Sequence, residues 1–185
     1  MKKYVLTGAP CSGKTSVINE LKKRGYNVLD EVARDYLEKR KELGLKDMYL
    51  CSIDEKEDAE KRMYEIQLEK ESELEEKCTG KNDKIFLDRS LIDGVAYHLH
   101  FSGRLPEYIH EKLSGRYEGV FLFDRLPIVN DCIRKEGINE SQEIHNMLKK
   151  TYSFYNYRTI KVPVKSIEER TDYILDYIGK FEAKK

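Results

Sequence analysis

Gly8-Ala9-Pro10-Cys11-Ser12-Gly13-Lys14-Thr15 has the spacing Gly-x-x-x-x-Gly-Lys-Thr, and no other stretch constrains the chain as much. Its flanks agree with it. Lys3–Thr7 is a short β-prone apolar run, and Ser16 opens a segment with Val17, Ile18 and Leu21 at helical spacing before Gly25. Strand, glycine loop and helix in that order imply a backbone that wraps a polyphosphate. Gly8 and Gly13 allow conformations and a close approach that a Cβ would block. The loop N–H groups and the helix N-terminus supply partial positive charge. Gly8 through Ser16 are therefore the expected nucleotide-binding residues. Lys14 is expected on the β- and γ-phosphates, and the Thr15 hydroxyl on Mg²⁺.

At 185 residues the chain is long enough for one ordinary domain, 1–185. Lys plus Arg equals Asp plus Glu at 34 each, so no net field draws it to nucleic acid or an anionic membrane. No apolar run approaches membrane-spanning length, and Met1 leads directly into the first strand, so a cytoplasmic location is expected. Cys11, Cys51, Cys78 and Cys132 show no Cys-x-x-Cys spacing, which disfavours a zinc site. Cys11 fits the loop as a small, oxidisable residue.

The remaining candidates lie at strand ends, where open α/β sheets collect ligands. Tyr26–Leu29 is a second strand ending at Asp30-Glu31. Asp30 reads first as a helix cap. Glu31 reads as a group that accepts a proton or hydrogen bond from a phosphate acceptor, with Arg34 on the same helical face to hold it or the substrate. Asp54 to Cys78 predicts one long charged helix packed by Ala59, Met63, Ile66 and Leu74. Lys84–Asp88 is a third strand, its terminal Asp88 expected to assist Mg²⁺. Arg89 is expected on phosphate or substrate, and Ser90 with Asp93 fits a capping box. Helical segments are expected over 91–114, broken at Phe101-Ser102-Gly103-Arg104-Leu105-Pro106, with His98, His100 and His110 as unpartnered surface or packing residues. Gly119–Asp124 is a fourth strand and Arg158–Pro163 a fifth. A lid is expected around 125–150, where Arg134, ahead of Lys135 and Arg125, would stabilise the transferring group. Ser166 with Glu169 fits a second capping box, opening a last helix with a packed stripe of Ile167, Thr171, Ile174, Ile178 and Phe181.

The phosphate loop, Glu31-Val32-Ala33-Arg34-Asp35-Tyr36, Asp131-Cys132-Ile133-Arg134 and Tyr157-Arg158 together resemble the small P-loop NTPases of the nucleoside-kinase type. The likeness is strongest to the nicotinamide riboside kinase (NadR-like) domain, whose relatives are often labelled AAA-family ATPases. Asp88-Arg89-Ser90 is more similar to deoxynucleoside and thymidylate kinases; the NadR-like group would show Asp-Thr there. The resemblance implies an α/β three-layer sandwich around a five-stranded parallel sheet in order 2-3-1-4-5.

The expected activity is ATP- and Mg²⁺-dependent phosphoryl transfer to a small hydroxyl acceptor, a nucleoside or related metabolite. Lys14, Glu31, Asp88 and Arg134 are the expected catalytic groups, with Glu31, Arg34 and Arg89 on the acceptor. The expected partners are a nucleoside triphosphate and that small molecule, acting on a monomer or homodimer. Two alternatives stay open. One is a nucleotide-dependent switch or slow NTPase working through a partner. The other is a polynucleotide 5′-kinase, which zero net charge disfavours.

Overall fold

Every residue of β1 (Lys2–Thr7) after Lys2 is buried, as expected for the middle strand of a sheet covered on both faces. The computed structural model describes residues 1–77, 83–109, 112–126 and 138–183. β1 pairs in parallel with β3 (Lys84–Asp88) on one side and β4 (Gly119–Phe123) on the other. β2 (Asn27–Leu29) lies outside β3, and β5 (Thr159–Val162) outside β4, giving the order β2-β3-β1-β4-β5. Register puts Leu6 beside Asp88, so the β3 acid lies level with the start of the phosphate loop.

Alternation along the strands divides the core. Tyr4, Leu6, Phe86, Phe121 and Phe123 pack against α1 (Lys14–Lys23) and α6 (Ile167–Glu182). Val5, Ile85, Leu87 and Val120 face α3 (Ile53–Lys77), α4 (Leu91–Ser102) and α5 (Ile138–Phe154). The result is helices, sheet and helices in three layers. α2 (Val32–Glu42) runs from the end of β2 and leads through a short 3₁₀ turn, Met48–Leu50, into α3.

Four expectations need correction. Asp30 does not cap α2: Glu31 occupies the cap position without a side-chain bond to the helix, and exposed Asp30 pairs with Lys22 at 3.2 Å. The inward face of α3 is Ala59, Tyr64, Gln67 and Glu71, while Met63 and Ile66 are only half-buried. Helical segments do not fill 91–114: Gly103 ends α4 in a left-handed conformation (φ 73°) within the expected break, but the described residues beyond it are irregular rather than helical. On α6, Thr171, Ile174 and Ile178 are buried, but Ile167 and Phe181 at the two ends of the stripe are exposed. Both expected capping boxes, Ser90 with Asp93 and Ser166 with Glu169, are formed.

The shifted face of α3 has a polar cause. The Glu71 carboxylate is fully buried and accepts from Lys3 Nζ at 3.2 Å, Arg116 Nε at 2.9 Å, the Tyr117 hydroxyl at 3.1 Å and Gln67 Nε2 at 3.0 Å. It ties the start of β1, the approach to β4 and α3 into one knot. Glu71→Ala leaves two cations short of a partner, although Lys3 keeps Glu75 at 2.6 Å. The expected loss is about 3 kcal/mol of unfolding free energy, read from the urea midpoint.

Candidate functional site

The phosphate loop is built from backbone that side chains would obstruct. At Gly8 (φ 149°) a Cβ would lie 2.9 Å from the Phe123 carbonyl oxygen. At Gly13 (φ 81°) it would lie 2.6 Å from Arg170 Nη1. Cys11 also sits in the left-handed region, at φ 58°. Gly13 stands at the N-cap of α1 and contributes no side-chain cap, so the first N–H groups of that helix remain for a ligand. Arg170, from α6, donates to the Ser12 carbonyl at 3.0 Å and holds the loop from beneath.

The Lys14 amine bonds the carbonyls of Gly8 and Ala9, each at 3.1 Å, and the Ser12 hydroxyl at 3.2 Å. Burial, reinforced by the Arg89 charge, lowers it to about 7 against the pull of Asp88, Glu31 and Asp93. The Thr15 hydroxyl donates to Asp88 Oδ2 at 2.7 Å. Asp88 is buried, its Oδ1 has no hydrogen-bond partner, and burial raises its carboxyl above the usual range. A hydroxyl oxygen beside a carboxylate with one orphaned oxygen is a donor set that fits Mg²⁺ and its waters.

Arg89 follows at φ 73°, a backbone region that favours glycine. Its Nε meets Glu31 Oε1 at 2.9 Å, while Nη1 reaches the Gly8 carbonyl at 3.3 Å and Asp93 Oδ1 at 3.4 Å. Its guanidinium lies 5.1 Å from the Tyr97 ring centroid. Burial works against this charge, yet Tyr97, Glu31, Asp93 and Asp88 hold the group well above its ordinary value. Arg34 approaches Glu31 Oε2 at 3.7 Å from the exposed side. Together Pro10 through Ser16, Glu31, Arg34 and Arg89 line a recess of about 180 Å³.

The structure thus brings the loop, Glu31, Arg34, Asp88 and Arg89 together. Arg134, Lys135 and the rest of 127–137 in the expected lid lie outside the described residues, 138–150 belong to α5, and Arg125 is half-buried just past β4. Sequence reasoning missed Arg170, for which no local signal exists. It also took Asp93 only for a cap. Besides capping, Asp93 accepts from Thr7 Oγ1 at 2.6 Å and from the Tyr152 hydroxyl, so one carboxylate links β1, α4 and α5 beneath Arg89.

This fold and recess define a P-loop nucleotide-binding protein. A family model described as an AAA domain matches residues 3–170, and the chain belongs to that family. A search of curated protein sequences finds no match. Among solved structures, the NadR protein in complex with NR is 18% identical with a TM-score of 0.63. The alignment covers 87% of this chain and 43% of the NadR chain, so this chain spans less than half that protein's length. Thymidylate kinase from Candida albicans is 15% identical, with a TM-score of 0.64 and coverage of 98% and 92%. Deoxyadenosine kinase from M. mycoides is 14% identical, with a TM-score of 0.52 and coverage of 96% and 99%. These likenesses establish the nucleoside-kinase-like fold.

A polyphosphate favours the charged form of Lys14, so binding above about pH 7 must take up a proton. Nucleotide affinity should weaken about tenfold from pH 6 to pH 8 through this group. Calorimetry in buffers of different ionisation enthalpy should find proton uptake near pH 8 that is absent in Lys14→Arg, whose guanidinium stays charged.

Proposed function

We propose that this protein is a kinase that transfers the γ-phosphoryl group of Mg·ATP to a hydroxyl of a small metabolite of nucleoside type. The observation that carries this reading is the buried Glu31 carboxylate, bonded by Arg89 on the rim of the phosphate loop. Hydrolysis alone gives no reason to build a carboxylate between two arginines at that rim. The nucleoside-kinase-like neighbours support the same class.

The loop N–H groups and Lys14 hold the triphosphate, and Thr15 with Asp88 would hold Mg²⁺. That ion supplies charge neutralisation on the phosphates. The acceptor hydroxyl hydrogen-bonds to Glu31 and attacks the γ-phosphorus. A new P–O bond forms as the β–γ bridge breaks, ADP leaves with the electron pair, and the hydroxyl proton passes to Glu31. Arg89 fixes the carboxylate, and Arg34 offers a second donor to the acceptor. Positioning and charge stabilisation supply most of the rate. No step here depends on Arg134.

³¹P NMR of the protein with Mg·ATP and pooled nucleosides should show ADP and a new phosphomonoester that requires one pool. Free phosphate formed regardless of the pool would overturn the kinase reading in favour of an NTPase or switch. Lys14→Ala should abolish turnover while the circular dichroism spectrum is retained.

A further inference from the structure

Arg170 lies in the first turn of α6, and only 4% of it is exposed. Its own helix fixes it. Ser166 caps α6 through the box with Glu169, and the Ser166 carbonyl accepts from Arg170 Nε at 3.4 Å. The guanidinium lies over the Phe123 ring, 5.8 Å from its centroid, and Nη1 ends on the Ser12 carbonyl at 3.0 Å. Gly13 is pressed against the same group. A Cβ there would stand 2.6 Å from Nη1, 3.0 Å from Nη2 and 3.2 Å from Cζ.

The described peptide bonds are all trans. In a trans peptide the C=O and the N–H of the next residue point in opposite directions. With its carbonyl held by Arg170, the Ser12–Gly13 peptide therefore turns the Gly13 N–H away from α6. Gly13 lines the phosphate recess and Arg170 does not, so that N–H faces the recess side of the loop. Charge adds to geometry. Arg89 is matched by Glu31 and Asp93, whereas no carboxylate among the described residues pairs with Arg170. Burial pulls its guanidinium below the ordinary value, and no neighbouring charge opposes the shift. Glu169, one residue earlier, is exposed and turned toward Lys165 at 3.8 Å. A buried cation without a counter-charge is costly, and a polyphosphate above the loop would supply the missing anion.

We propose that Arg170 is a positioning residue for phosphate capture, which aims the Gly13 N–H at a bound polyphosphate and keeps an unneutralised charge beneath it. A cation on the carbonyl end of a peptide also polarises the N–H at the other end, making it a stronger donor. Gly13 is then required twice over, by its left-handed backbone and by the guanidinium packed on its Cα. This role rests on the nucleotide-binding half of the kinase reading and is independent of the acceptor.

The probes are Mg·ADP and magnesium tripolyphosphate, the second having no base. Affinity is measured by calorimetry, and the Gly13 amide is followed in ¹H–¹⁵N spectra. In the native protein both probes should bind and move the Gly13 proton downfield. Arg170→Met should bind both about tenfold more weakly and lose most of that movement. Arg170→Lys, which restores a charge and a donor, should recover a large part of each. A Gly13 proton that stays in place in the native protein overturns the proposal even if no variant folds. So does an Arg170→Met protein with native affinity, or an Arg170→Lys protein no better than Arg170→Met. Weak binding by Arg170→Met with the full Gly13 shift also overturns it, because that loss is structural. The expected binding results without phosphoryl transfer to any nucleoside pool in ³¹P NMR keep the role of Arg170 and remove the kinase reading. Transfer with an unmoved Gly13 proton does the reverse.

Discussion

The carboxyl edge of the sheet depends on one buried cation. Arg89 joins three segments distant in sequence: the end of β2 through Glu31, the phosphate loop through Gly8, and the first turn of α4 through Asp93. It does so from a backbone conformation that costs a non-glycine residue on the order of 1 kcal/mol. That cost is tolerated because the alternative is worse. Without the guanidinium, Glu31 would lose its 2.9 Å partner and Asp93 a compensating charge, both in a buried setting.

Around this cation two groups are held away from their charged states. Burial leads both shifts: it lowers the Lys14 amine and raises the Asp88 carboxyl. A polyphosphate would reverse the first shift, and a divalent cation the second. The site is thus electrostatically incomplete by construction, and its two missing charges have opposite signs. The Thr15–Asp88 bond at 2.7 Å keeps the oxygens together meanwhile.

Most of the fold was legible in the sequence because it rests on local signals. Glycine spacing, apolar strand runs and the two Ser capping boxes each specify nearby backbone, and the strand order followed from the family resemblance. Legibility ended where a residue's meaning depends on a distant partner. Ala59 and Leu74 of α3 read as parts of an apolar stripe. The real inward face ends in Glu71, because Lys3 arrives from β1 and Arg116 from the approach to β4, whose proximity the helix cannot announce. Asp93 read as a cap and is one, but its bonds to Thr7 and Tyr152 lie across 86 and 59 residues. His98 read as an ordinary histidine for the same reason, its Glu60 partner lying on another helix.

The Arg170–Ser12 contact spans 158 residues, and it governs when the loop can assume its shape. During synthesis the glycine motif leaves the ribosome 158 residues ahead of the arginine that holds it from beneath, which emerges with α6. Until then Gly13 and Ser12 lack their support, and the first helix lacks the Ile174 and Ile178 surface it packs against. Nucleotide capture therefore waits for α6. A ribosome-bound fragment carrying the whole motif, but stopping short of α6, would hold the residues for phosphate without the scaffold that aims them.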